Sequence, residues 1–129
     1  MSYSIDHFVL TVSDPEASLA FYQRALGVKR IDFAQGRIAI GLGNQKINLH
    51  QAGQELLPHA KEPRPGSADF CLITTQKLEP LIQHLTDEGI PVLQGPVLRT
   101  GAKGPIESIY IRDPDGNLVE LSNSMTQIK

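Results

Sequence analysis

The chain has 129 residues, with 12 Lys+Arg against 14 Asp+Glu, 40% hydrophobic and 20% charged residues, one Cys and no Trp. An ordinary apolar fraction and a net charge of −2 exclude a disordered chain and fit one domain over 1–129. A lone Cys71 excludes a disulfide scaffold and fits a reducing, cytoplasmic compartment, and the near-neutral charge supplies no broad basic face for nucleic acid. No stretch approaches the roughly 20 apolar residues of a membrane helix, and Met1–His7 lacks the basic-then-apolar pattern of a signal peptide.

Ile5–Val12 is rich in β-branched and aromatic residues and predicts a strand. Asp14-Pro15 supplies a cap and a first helical residue. Leu19, Tyr22, Ala25 and Leu26 then recur at helical spacing, widened by Phe21, until Gly27 stops the helix. Strands are predicted over Lys29–Phe33, Arg37–Leu42 and Lys46–Gln51, with turns at Gln35-Gly36 and Gly43-Asn44. Residues 52–67 hold Pro58, Pro63, Pro65 and Gly66 among charges and predict a long loop.

The order then repeats. Ala68–Thr74 predicts a strand, and 76–88 a helix from Leu78, Leu81, Ile82 and Leu85, stopped by Gly89. Pro80 leaves the helix start open unless it lies in the first turn. Val92–Leu98, interrupted by Gly95-Pro96, then Ser108–Arg112 and Asn117–Ser122 complete the set. Asp113–Asn117 is a strong turn signal. The period is about 60 residues: module 1 is about 1–52, a linker about 53–66, module 2 about 67–129. His7-Phe-Val-Leu-Thr aligns with Asp69-Phe-Cys-Leu-Ile, and Ile47–His50 with Asn117–Glu120.

The paired β-α-β-β-β order, Ile5-Asp-His-Phe-Val-Leu-Thr-Val12, Phe21-Tyr22…Leu26-Gly27 and Arg112-Asp-Pro-Asp-Gly-Asn-Leu-Val-Glu120 resemble the vicinal oxygen chelate superfamily (glyoxalase, bleomycin resistance, extradiol dioxygenase). Lys46–Gln51 and Pro65–Asp69 resemble signatures of its small glyoxalase-like branch. The resemblance covers nearly the whole chain. It implies an α+β fold in which two βαβββ modules form an incomplete, U-shaped barrel around a divalent metal, with ligands at His7, His50, Asp69 and Glu120. It also implies a homodimer, its hollow formed within one chain or by exchange between subunits.

Alternation along the strands reaches the same residues independently. His7 lies opposite Phe8 and Leu10, His50 opposite Ile47 and Leu49, Asp69 opposite Phe70 and Leu72, and Glu120 opposite Val119 and Leu121. Imidazoles and carboxylates suit Zn, Ni, Mn or Fe. Asp69 departs from the His usual at that position in glyoxalase I and fosfomycin resistance proteins. It reads as a ligand, a ligand through water, or an exposed carboxylate at a strand start. His59 and His84 read as solvated, Cys71 as a buried small hydrophobe, and Arg99, Lys103 and Arg112 as surface cations. Gly101–Pro105 reads as a mobile loop able to act as a lid.

By resemblance, the leading function is a glyoxalase I-type lyase acting on a small carbonyl substrate. The metal polarises two neighbouring oxygens and stabilises an enediolate, while Glu120, or Asp69 second, takes the proton. The alternatives are Fe(II) extradiol ring cleavage and metal-free binding of a small molecule, as in resistance proteins.

Overall fold

A computed structural model describes residues 1–126, and contacts divide it into two units. One comprises Met1–Ala68 with Pro114–Gly116, the other Asp69–Asp113 with Asn117 onward. Each carries the βαβββ order expected from the sequence.

In the first unit Asp14 ends the extended chain, and its carboxylate accepts from the N–H groups of Glu16 and Ala17 at 3.1 and 3.3 Å. Such a cap stabilises by about 1 kcal/mol. Helix α1 (Pro15–Leu26) follows and stops at Gly27, whose φ of 68° suits the residue without a Cβ. It connects β1 (His7–Val12) to β2 (Lys29–Phe33), β3 (Arg37–Leu42) and β4 (Gln45–Gln51). The sheet order is β1-β4-β3-β2, with β1 and β4 parallel and the other pairs antiparallel. Leu10, Val12, Ile38, Ile40, Ile47 and Leu49 form its apolar side and are all buried, as are Leu19, Phe21, Tyr22 and Ala25 of α1. Burying each large side chain contributes roughly 1.5–3 kcal/mol, which fixes the sheet face that the helix covers. Residues 52–68 form no helix or strand, and Asp115 accepts hydrogen bonds from the Ser13 N–H and hydroxyl.

In the second unit β5 (Asp69–Ile73) leads into α2 (Leu78–Asp87), then β6 (Gln94–Gly101), β7 (Gly104–Arg112) and β8 (Leu118–Ser124), in the order β5-β8-β7-β6. Pro80 falls in the first turn of α2, where its missing N–H costs nothing. Lys77 gives no side-chain cap. Instead the Asn123 carbonyl accepts from the Leu78 N–H at 3.2 Å, while its amide donates to the carbonyls of Thr74 and Gln76. Leu78, Leu81 and Leu85 are buried, as are Ile109, Ile111, Val119 and Leu121 on the apolar side of the sheet. The Asp113–Asn117 turn closes through the Asp113 carboxylate, which accepts from both the backbone and side chain of Asn117.

One expectation is corrected. Gly101–Pro105 is no lid: Gly101 pairs with Gly104, so Ala102-Lys103 is a two-residue hairpin turn between β6 and β7. Gly104 has φ 126°, a conformation open to glycine, and glycine-flanked two-residue loops join twisted antiparallel strands readily.

Candidate functional site

Each sheet has a side turned away from its apolar one. In the first unit the pairing of β1, β4, β3 and β2 sets two cross-strand rows on that side: His7, Lys46, Gly41 and Lys29, then Val9, Asn48, Ala39 and Ile31. Beyond them Thr11 pairs with His50, and Arg37 with Phe33. His7 and His50 therefore share a side, but lie four residues apart along the ladder, on the order of 13 Å at strand rise.

In the second unit Cys71 pairs with Glu120 and Glu120 with Tyr110, while Asp69 pairs with Leu118. The two ladders give the repeat its true register. His7 lies opposite Lys46 and Asp69 opposite Leu118, so Glu120 corresponds to Asn48, and His50 to Ser122. The sequence alignment of Ile47–His50 with Asn117–Glu120 is thus corrected by two residues.

The four candidate donors have different surroundings. His7 is 44% exposed at its side chain, with Nδ1 bonded to the Asp6 carboxylate at 2.8 Å. That bond makes Nδ1 the donor, the way a carboxylate supports a metal-binding imidazole, and Nε2 has no partner among the described residues. Glu120 is half-buried. Its Oε2 accepts from the Ser108 hydroxyl at 2.6 Å, and Oε1 has no partner among the described residues.

Behind Glu120 runs a chain of groups: Ser108 Oγ to Ser122 Oγ at 2.6 Å, and Ser122 Oγ to Cys71 Sγ at 3.3 Å. The carboxylate can only accept, so Ser108 donates to Glu120 Oε2, which the Ser122 hydroxyl also approaches at 3.5 Å. Both serines are fully buried, so each hydroxyl is satisfied only within this chain. Cys71 is exposed rather than buried. Partial desolvation, then the nearby Glu120 charge, pushes its thiol above the ordinary range, against the hydrogen bond to Ser122. Cys71, Glu120, Ile73, Ile106, Arg99 and Lys103 are among the residues lining a hollow of about 620 Å³ in this unit.

Asp69 is exposed, and its carboxylate has no partner among the described residues. His50 is 9% exposed, with Nε2 at 3.3 Å from Arg37 Nη2. The guanidinium can only donate, so Nε2 accepts and Nδ1 carries the proton, buried without a partner. Burial first, and the Arg37 charge second, hold His50 below the usual histidine range. Neighbouring Asn48 is 4% exposed and also leaves its Oδ1 unpartnered.

Taken singly, His7 and Glu120 each offer donor chemistry that suits a divalent cation. Each has one polar atom held by a neighbour and one coordinating atom left free. His50 presents no such atom while Arg37 faces its Nε2. Each unit contributes two of the four candidate donors, and among the described residues no three His, Cys, Asp or Glu side chains are grouped to hold a metal. Sequence reasoning missed Asn48, Ser108 and Ser122. Their signal was polar residues at alternate positions in strands with buried neighbours.

Two βαβββ modules, each with an apolar sheet side and an opposite side bearing polar groups, define the class. The chain belongs to the Glyoxalase/Bleomycin resistance protein/Dioxygenase superfamily, whose family model matches residues 4–121. A virulence protein of Salmonella typhimurium is 52% identical over 118 residues, covering 92% of this chain and 82% of that protein. The crystal structure of the Salmonella virulence protein superposes with a TM-score of 0.94 at 49% identity, over 97% of this chain and 99% of that one. A glyoxalase domain-containing protein of Mycosarcoma maydis is 51% identical over 120 residues, 93% of this chain and 68% of that protein. A lactoylglutathione lyase of Agrobacterium tumefaciens shares the fold, with a TM-score of 0.73 at 23% identity over 98% and 97% of the two chains. Members of the superfamily commonly use divalent metals. No helix among the described residues is long and apolar enough to cross a membrane.

Proposed function

We propose that the protein is a divalent-metal-dependent, glyoxalase-like enzyme that removes a proton next to a carbonyl of a small substrate. The observation that carries this reading is the setting of Glu120, whose Oε2 is anchored by a buried serine while Oε1 remains free beside a hollow. A carboxylate so oriented is ready either to bind a cation or to accept a proton. His7, its ring fixed by Asp6, is the matching nitrogen donor. Asp69 is the third donor, and His50 joins only if Arg37 leaves its Nε2. A bound cation would supply Lewis-acid polarisation of neighbouring substrate oxygens.

The chain's own residues do the rest. Ser108 holds the carboxylate plane, Ser122 and Cys71 complete that support, and Glu120 takes the proton. Glu120, His7, His50 and Asp69 are candidate roles on this reading, and a homodimer is the proposed assembly. The expected result is turnover of a methylglyoxal–thiol hemithioacetal by protein reconstituted with Zn, Ni, Mn or Fe, followed spectrophotometrically. No turnover with any of these metals would contradict the reading. Fe(II)-dependent oxygen uptake with catechols would replace it with ring cleavage.

A further inference from the structure

Three charged side chains line the hollow of the second unit without pairing. Glu120, Arg99 and Lys103 border the same space of about 620 Å³, yet no ion pair joins them among the described residues. Strand pairing shows why they stay apart. Glu120 on β8 lies opposite Tyr110 on β7, whereas Arg99 on β6 lies opposite Ile106, four residues back along β7. That offset is on the order of 13 Å along the strand, with one strand more between them. The wall between the charges includes Ile73, which is 60% exposed and so offers apolar surface for a guest to cover.

Arg99 is not a loose surface cation. It sits on β6, an edge strand, where a charged residue commonly serves only to block pairing with another chain. That role needs no fixed orientation, and Arg99 has one. Nε donates to the Tyr110 hydroxyl at 2.9 Å, Nη1 donates to the Leu98 carbonyl at 3.2 Å, and Cζ lies 5.6 Å from the Tyr110 ring centroid. Tyr110 thus draws the guanidinium from its own row toward that of Glu120, and Nη2 has no partner among the described residues. Lys103, in the hairpin turn between β6 and β7, adds a mobile second charge to the same hollow. The lining then holds two cations against one carboxylate among the described residues. A guest with a single negative charge neutralises it, whereas a dianion overshoots and meets Glu120. No residue of a helix lines the hollow, so the usual phosphate cradle is absent.

We infer that the hollow selects a small carbonyl compound with a terminal carboxylate, the carboxylate held by Arg99 and Lys103, the short aliphatic stem against Ile73 and the carbonyl end at Glu120. This rests on the proposed proton abstraction by Glu120, and it names the substrate class. Tyr110 is a positioning residue that acts through Arg99. Charge-assisted hydrogen bonds from the two cations give the acid its advantage over an uncharged analogue.

The test uses the full chain treated with a chelator, so that binding is read apart from turnover. 4-Oxopentanoate, its neutral isostere 4-oxopentanamide and inorganic phosphate are titrated while the protein's resonances are followed by NMR. The expected result is saturable binding of 4-oxopentanoate that shifts Ile73, Arg99 and Lys103, with the amide at least tenfold weaker. Arg99→Gln should weaken the acid tenfold or more and Lys103→Gln at least threefold, with the amide unchanged and spectra elsewhere intact. Tyr110→Phe keeps the ring but removes the acceptor for Arg99 Nε, so it should weaken the acid severalfold and leave the amide unchanged, a split that altered packing would not produce. Equal binding of acid and amide, no binding of the acid, or full acid affinity in both Arg99→Gln and Lys103→Gln would overturn the inference. Phosphate binding more tightly than 4-oxopentanoate would overturn the carboxylate assignment, and full acid affinity in Tyr110→Phe would remove Tyr110 from its role. Acid binding as expected, with no turnover by metal-loaded protein, would count against the proposed reaction and leave this site standing. Turnover of the hemithioacetal of methylglyoxal and 2-mercaptoethanol without acid binding would do the reverse.

Discussion

Replacing Glu120 by Gln is expected to lower kcat/KM toward the hemithioacetal by about 10³-fold or more, with little change in folding. Gln keeps the length and shape of Glu, and its amide oxygen can still accept from the Ser108 hydroxyl, so the support behind the side chain survives. What disappears is the negative charge and the ability to take a proton. Loss of a positioned general base alone removes roughly 10²–10⁴ in rate, and loss of a charged metal donor adds to it. The readout is steady-state kinetics of metal-loaded protein beside its thermal midpoint. Undiminished turnover in a folded variant would remove Glu120 from the role.

Gly95→Ala is expected to destabilise the protein by roughly 3 kcal/mol, combining backbone strain with a steric clash. Gly95 has φ 111°, outside the ordinary range of residues with a side chain. A Cβ there would run into the Ser108 carbonyl oxygen and approach Ile109 Cα to 2.9 Å. Both contacts are backbone in the middle of β7, so neither can swing aside. The β6–β7 register shifts between Gln94 and Val97, which brings Gly95 against that strand. Because Ser108 anchors Glu120, the same change should also loosen the carboxylate. Urea denaturation measures the first effect. A loss below about 1 kcal/mol would show that β6 can shift and that this close approach is not required.

The particular residues show what could be read without coordinates. Asp14, Pro15 and Gly27 act through local backbone chemistry, so α1 was legible from end to end. Alternation of Leu10, Ile47 and Val119 with polar neighbours marked which side of each sheet is apolar. The same alternation could not choose between His50 and Asn48 as the counterpart of Glu120. Side chains repeat every two residues along a strand, so a slip of two preserves every face and moves only the partner. Settling it takes the ladder itself.

The serine chain behind Glu120 was illegible for another reason. It joins residues from different strands, and nothing local in Ser108 or Ser122 announces the partner. Gly101–Gly104 was misread because glycine marks both mobile loops and tight hairpins. Only the pairing of the flanking strands separates the two.

The central claim, that a divalent cation is held by donors including His7 and Glu120, is tested most directly by metal stoichiometry. The purified protein is stripped, reloaded, dialysed and assayed by elemental analysis beside His7→Ala and Glu120→Gln. The account predicts about one tightly held divalent ion per site in the wild type, falling at least tenfold in occupancy at limiting metal in either variant. Equal retention by the wild type and both variants, or none by any of them, would contradict it.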